Sequence, residues 1–141
     1  MARAVEEGAR VALGGKAVEG KGYYYPPTLL LDVRRKCRLC MRKPLAQVLP
    51  VVAFDTLEEA ISMANDSDYG LTSSIYTQNL NVAMKAIKGL KFGETYINRE
   101  NFEAMQGFHA GWRKSGIGGA DGKHGLHEYL QTRWFIYSRN E

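Results

Sequence analysis

The chain has 141 residues, 45% of them hydrophobic and 24% charged, with a formal net charge of +4. That length suits one unit of ordinary domain size with a real core. No apolar run is long enough to span a bilayer, and residues 1–7 carry no apolar signal region. Two cysteines make no disulfide framework, so the expectation is a soluble cytoplasmic protein with no membrane partner.

The positive charge is local. Arg34, Arg35, Lys36, Arg38, Arg42 and Lys43 fall in one ten-residue window without an acid. Outside it the balance is 13 basic against 15 acidic residues. A nucleic-acid binder spreads its basic residues over a face or interleaves them with stacking aromatics. This island holds no aromatic residue, which favours a solvated loop and no nucleic-acid partner.

In chain order, residues 2–9 read as a short helix and residues 10–15 as a short strand closed by glycines. Residues 23–33 read as a strand bent or placed at an edge by Pro26 and Pro27. Residues 48–54 form a short apolar run of the kind buried on both faces of a sheet. Thr56 and Glu59 make a capping box, followed by Leu57, Ala60, Ile61 and Ala64 at helical spacing. Residues 71–77 predict a strand. Asn79 or Asn81 caps a second helix with Leu80, Ala83, Met84 and Ile87 on one face, and Gly89 ends it. Residues 92–98 predict another strand. This alternation predicts an α/β fold with a parallel sheet and crossover helices. Ligands of such sheets lie beyond the carboxyl ends of the strands, here the loop after Asn98. A glycine-rich arm follows over residues 107–125. Residues 124–129 predict a short helix and residues 134–137 a final strand.

Phe54-Asp55, the helix opened by Thr56, Asn65, Tyr69-Gly70-Leu71, the strand with Gly93, Ile97 and Asn98, and Lys114-Ser115-Gly116-Ile117-Gly118 occur in an order and spacing that resemble the aldehyde dehydrogenase family. The resemblance covers nearly the whole chain and implies a parallel-sheet fragment of that family's catalytic domain over residues 1–132. It implies descent from enzymes that oxidise small hydroxyaldehydes to acids with NAD. There a cysteine thiolate attacks the carbonyl, hydride passes to the nicotinamide and water cleaves the thioester. On the family's pattern the nucleophilic cysteine, the general-base glutamate and the cofactor domain belong upstream of Met1. The expectation is therefore a C-terminal piece with no catalytic residue, no metal and no bound cofactor of its own, inactive alone. Neither Cys37 nor Cys40 stands where the nucleophile would be.

The sequence departs from the family twice more. The segment that carries a ribose-binding glutamate and an aromatic beside the nicotinamide reads Lys43-Pro44-Leu45-Ala46-Gln47 here. Lys43 has no acceptor for ribose hydroxyls, and Leu45 replaces the aromatic, so no cofactor-binding residue is assigned. The end reads Arg133-Trp134-Phe135-Ile136-Tyr137-Ser138 in place of a polar-aliphatic tail. One origin explains both. Residues 41–47 can be encoded ATG AGG AAA CCT TTG GCC CAG. Read two bases later, that string gives Glu-Glu-Thr-Phe-Gly-Pro, the family's motif. The same shift restores a family-like tail from residues 133–138. Compensating frameshifts over residues 34–47, and another near Arg133, are the expectation, leaving residues 133–141 as an altered oligomerisation tail. Intact relatives assemble through that strand, so self-association, or docking on an intact homologue, is expected of a fragment with open edges.

For a substrate site the candidates are Glu103, Phe108 and His109, in the loop that lines the family's aldehyde tunnel, with Phe102 and Trp112 as further rings that exclude water. Asn98 is read as a strand-end residue that pins the loop. Cys37 and Cys40, with His124 and His127, could supply zinc ligands by type, but the pairs are too far apart in sequence for a small zinc finger. A zinc or redox module is the lesser alternative, beside a structural remnant or a pseudogene product. Residues 116–119 resemble a phosphate cradle but do not follow a strand in a βαβ unit.

Overall fold

A computed structural model describes residues 1–35, 37–41 and 46–139. Lys43 and Leu45, the substitutions at the family's cofactor segment, lie outside the described residues, as does most of 42–47.

Helix α1 (Ala2–Glu6) leads into β1 (Arg10–Leu13), then β2 (Thr28–Leu31), a short α2 (Arg38–Met41) and β3 (Val48–Pro50). The three strands form one sheet in the order β1-β2-β3, with β2 antiparallel to β1 and parallel to β3. The central strand alternates, with Thr28 and Leu30 buried, as a pleated strand with one face on a core must. Leu30 and Val33 pack with Ala4, Ala9 and Cys37 in that core. The turn after β1 closes on Thr28, whose hydroxyl accepts from the Gly15 N–H at 2.8 Å and donates to the Pro26 carbonyl at 3.1 Å. Gly14 is obligatory there. Its φ is +67°, and a Cβ would stand 2.4 Å from the Pro27 carbonyl oxygen.

The strand expected over 23–33 shrinks to four residues, because Pro26 and Pro27 cannot donate to a ladder. The run 48–54 is not buried on both faces. β3 is the edge of its sheet, and Leu49 is 63% exposed.

Helix α3 (Leu57–Asn65) opens with the expected capping box. Thr56 Oγ1 accepts from the Glu59 N–H at 3.1 Å, and Glu59 Oε2 accepts from the Asp55 N–H at 2.9 Å. Next come β4 (Tyr69–Gly70), β5 (Thr72–Ile75), α4 (Leu80–Gly89) and β6 (Glu94–Ile97). Asn79, not Asn81, caps α4, with Oδ1 accepting from the Asn81 and Val82 N–H groups at 2.9 and 3.2 Å. The buried stripe of α4 is Ala83 and Ala86, while Leu80 and Met84 are exposed. Gly89 ends the helix for a packing reason. A Cβ there would meet Ile61 of α3 at 3.0 Å, and the Gly89 carbonyl accepts from the Asn65 amide at 2.8 Å.

Strands β5 and β6 pair in parallel with Ser73 opposite Thr95 and Ile75 opposite Ile97. They form their own two-stranded sheet, so the single parallel sheet expected to run through residues 48–98 is two sheets, each with one parallel pair. The glycine-rich arm contains three two-residue strands, β7 (His109–Ala110), β8 (Trp112–Arg113) and β9 (Gly119–Ala120), then α5 (Gly122–Glu128). β7 pairs antiparallel with β9, and β8 with β4. The expected terminal strand is absent: residues 130–139 take no regular structure, and Trp134, Phe135, Ile136 and Tyr137 are all more than 70% exposed. Aromatic β-propensity without a ladder partner does not make a strand.

The chain divides into two compact units, Met1–Ser67 with Met84–Leu90, and Asp68–Ala83 with Lys91–Glu141. Among the described residues, no helix is long and apolar enough to cross a membrane.

Candidate functional site

The candidate site belongs to the second unit and is built on β6. Side chains two apart on a strand share a face, so Glu94 and Tyr96 project together. The Tyr96 hydroxyl donates to Glu94 Oε2 at 2.5 Å. The other carboxylate oxygen lies 2.5 Å from His109 Nδ1. Glu94 is nearly enclosed, with 11% of its side chain exposed against 30% for His109. The hydrogen bond to Glu94 raises the Tyr96 phenol to about 12, with desolvation and the negative charges of Glu94 and Glu103 adding to it.

His109 reaches Glu94 because β7 crosses the start of β6 at backbone contact. A Cβ on Gly93 would fall 1.6 Å from the Ala110 carbonyl oxygen. This is the physical content of the glycine in the family-like strand.

The loop after β6 is pinned at its root. Asn98 takes φ +53°, its N–H donates to the Ile75 carbonyl at 2.8 Å, and its side-chain amide brackets Thr77. Oδ1 accepts from the Thr77 N–H at 2.8 Å, and Nδ2 donates to the Thr77 carbonyl at 2.9 Å. Ser74 holds the next turn through the Arg99 carbonyl and the Asn101 side chain. Farther on, the Gly122 N–H donates to the Met105 carbonyl at 3.0 Å. The loop returns with Phe108, whose ring lies 5.4 Å from the His124 ring, tilted by 50°. Gly119 makes room for it: a Cβ there would stand 2.4 Å from the Phe108 ring.

Glu94, Thr95, Tyr96, Glu103, Ala104, Gly107 and Phe108 line a cavity of about 290 Å³. Of the sequence candidates, Glu103 and Phe108 are on its wall, and His109 is joined to that wall through Glu94. Phe102 and Trp112 are not among its lining residues; both are exposed, and Trp112 is spent on the β4–β8 ladder. The cavity is lined by Glu94, Thr95 and Tyr96 of β6 together with residues of the loop after Asn98, the loop to which the strand order pointed. Glu94 and Tyr96 escaped the sequence reading. The available signal was a glutamate and a tyrosine at i and i+2, which share one face of the strand.

The Lys114-Ser115-Gly116 loop acts as a clasp. Ser115 Oγ accepts from the Gly70 N–H at 2.9 Å, and Lys114 pairs with Asp68 at 2.5 Å. That hydrogen bond lowers the Asp68 carboxyl and raises Lys114. Residues 116–119 do not fit a phosphate. A Cβ on Gly118 would stand 3.2 Å from a Glu128 carboxylate oxygen, so this glycine faces a negative charge.

Cys37 is buried, and desolvation raises its thiol, with a hydrogen bond to Glu7 adding; burial also raises Cys40. Thiols shifted upward are poor nucleophiles and poor metal ligands at neutral pH. Among the described residues, no group of three His, Cys, Asp or Glu side chains is placed to hold a metal. His124 is engaged with Phe108 instead.

The aldehyde dehydrogenase family profile matches residues 1–135, and the chain belongs to that family. Lactaldehyde dehydrogenase of Escherichia coli K12 is 87% identical over 133 residues, covering 94% of this chain and 28% of that enzyme. Its crystal structure superposes with a TM-score of 0.90 at 89% identity and the same coverage. The 3,6-anhydro-alpha-L-galactose dehydrogenase of Streptomyces coelicolor is 43% identical over 97% of this chain and 28% of its own length. Betaine aldehyde dehydrogenase of Staphylococcus aureus, solved with NAD+, superposes with a TM-score of 0.85 at 34% identity, over 92% of this chain and 26% of that one. The chain thus spans little more than a quarter of the relatives it matches.

Proposed function

We propose that this chain is the C-terminal, substrate-facing piece of an NAD-dependent aldehyde dehydrogenase of small hydroxyaldehydes, and that the 141 residues alone carry out no oxidation. The cavity beside β6 carries the reading. Glu103 offers polar atoms on its wall for a ligand hydroxyl, His109 adjoins that wall through Glu94, and Phe108 supplies an apolar surface that excludes water. The likeness to lactaldehyde dehydrogenase supports lactaldehyde and glycolaldehyde as the substrate class. Inactivity alone is supported by the match to only 28% of the E. coli enzyme and by burial, which raises both thiols of the chain and so disfavours the thiolate that thioester chemistry needs.

The test grafts residues 92–132 into the E. coli enzyme. Glu103→Gln and His109→Asn in the chimera are expected to raise KM for glycolaldehyde about tenfold or more, the loss of one hydrogen bond to a charged or polar partner. An unchanged KM for both variants rules out the substrate role.

Compensating frameshifts over residues 34–47, and another near Arg133, account for the basic island and the aromatic tail. An identity of 87% to the E. coli enzyme over 133 of the 141 residues, a span too long to leave out the island, favours this origin. The coding DNA decides it, since codons that cannot yield the family motif two bases later would exclude it. The exposed tail, with Trp134 at 84% exposure, supports self-association or docking on an intact homologue as the residual role, in the cytoplasm and without nucleic acid.

A further inference from the structure

Glu94 has both carboxylate oxygens engaged, one by the Tyr96 hydroxyl and one by His109 Nδ1, each at 2.5 Å. Its side chain is 11% exposed, so water does not compete freely for those lone pairs. An ionised carboxylate only accepts, and both partners must therefore donate. The Tyr96 proton points at Glu94, and the imidazole carries a proton on Nδ1. In the neutral ring the second nitrogen, Nε2, then has a lone pair and no hydrogen. Unconstrained neutral histidine side chains favour the opposite form, with the proton on Nε2, so the carboxylate changes what the ring offers.

We propose that Glu94 is a positioning residue that fixes His109 as the Nδ1–H tautomer, so that Nε2 is a hydrogen-bond acceptor for a ligand hydroxyl. Tyr96 is the second anchor. By occupying Oε2 it leaves Oε1 to the imidazole and removes its own hydroxyl proton from the set available to a ligand. With Glu103 also an acceptor, this wall takes a hydroxylated end of a ligand and disfavours a bare carbonyl, which brings no donor. The statement about the ligand rests on the substrate reading above. The tautomer rests on the Glu94 geometry alone.

The test is a two-bond ¹H–¹⁵N correlation spectrum of the ligand-free 141-residue chain, recorded where the imidazoles are neutral. The three histidines are assigned by replacing His124 and His127 singly. His109 is expected to show the Nδ1–H pattern. Glu94→Leu is expected to return it to the Nε2–H majority, and Tyr96→Phe, which spares the imidazole contact, to leave it in place. A wild-type His109 with its proton on Nε2 overturns the proposal, whatever the variants do. An Nδ1–H pattern that persists in a folded Glu94→Leu chain overturns it as well. Should the tautomer hold while both chimera variants leave KM unchanged, the substrate reading fails and only the fixed tautomer stands.

Discussion

Gly93 and Ala110 touch through their backbones: a Cβ on Gly93 would sit 1.6 Å from the Ala110 carbonyl oxygen, well inside any real contact. That approach seats β7 on the start of β6 and brings His109 to Glu94. Gly93→Ala must push the two segments apart. The expected cost is about 3 kcal/mol or more, at the upper end of overpacking losses, read as a lowered denaturant midpoint with an unchanged slope.

Gly119 and Phe108 form a similar pair, with the ring 2.4 Å from where a Cβ would be. A phenyl ring yields more readily than a carbonyl. Gly119→Ala should cost roughly 1–3 kcal/mol and displace Phe108, moving the His124 ring-proton resonances that its neighbouring ring shields. Unmoved resonances would show that the ring does not pack as described.

The caps are smaller and additive, because they lie on different helices. Thr56→Ala and Asn79→Ala each remove a side-chain acceptor for helix N–H groups and should cost about 1 kcal/mol apiece in urea unfolding. Of these, the Thr56–Glu59 box was legible in the sequence because its residue types and spacing are local. The choice between Asn79 and Asn81 was not, since either could begin the same apolar stripe.

What the sequence concealed has a common cause. β4, β7, β8 and β9 are two residues long, too short to display a repeating pattern, and they exist only through pairings across 9–44 residues of chain. The reverse error occurred at residues 48–54 and 134–137, where apolar and aromatic runs promised strands. The first became an edge strand of three residues, and the second found no ladder. In the site, Phe108, His109 and Glu103 were singled out because their loop follows a strand end. Glu94 was missed because a glutamate inside a strand ordinarily faces solvent, and only the fold shows it enclosed between Tyr96 and His109.

Tyr96 gives a pH signature. Its phenol is raised to about 12, above the unfolded value near 10. A raised value in the fold means that the unfolded chain loses this proton first. The stabilising contribution is therefore complete below about pH 10 and fades as pH climbs through about 12. Ultraviolet titration of tyrosinate should show one late-ionising group that disappears in Tyr96→Phe and moves earlier in Glu94→Leu.

Thiol accessibility separates the two cysteines. Cys37 is 3% exposed, and burial raises both thiols. At neutral pH, iodoacetamide followed by mass spectrometry should find Cys40 modified while Cys37 remains intact. Rapid labelling of Cys37 in the folded chain would reveal an accessible thiolate and contradict its burial.

The most direct measurement is the absorbance of NADH formed when the purified 141-residue chain is mixed with NAD and glycolaldehyde or lactaldehyde. The expected result is no increase above the rate without protein, since the chain matches only 28% of the E. coli enzyme and burial raises both of its thiols, disfavouring the thiolate that would attack the carbonyl. Sustained turnover by the wild-type chain, lost on Cys37→Ser or Cys40→Ser, would contradict it.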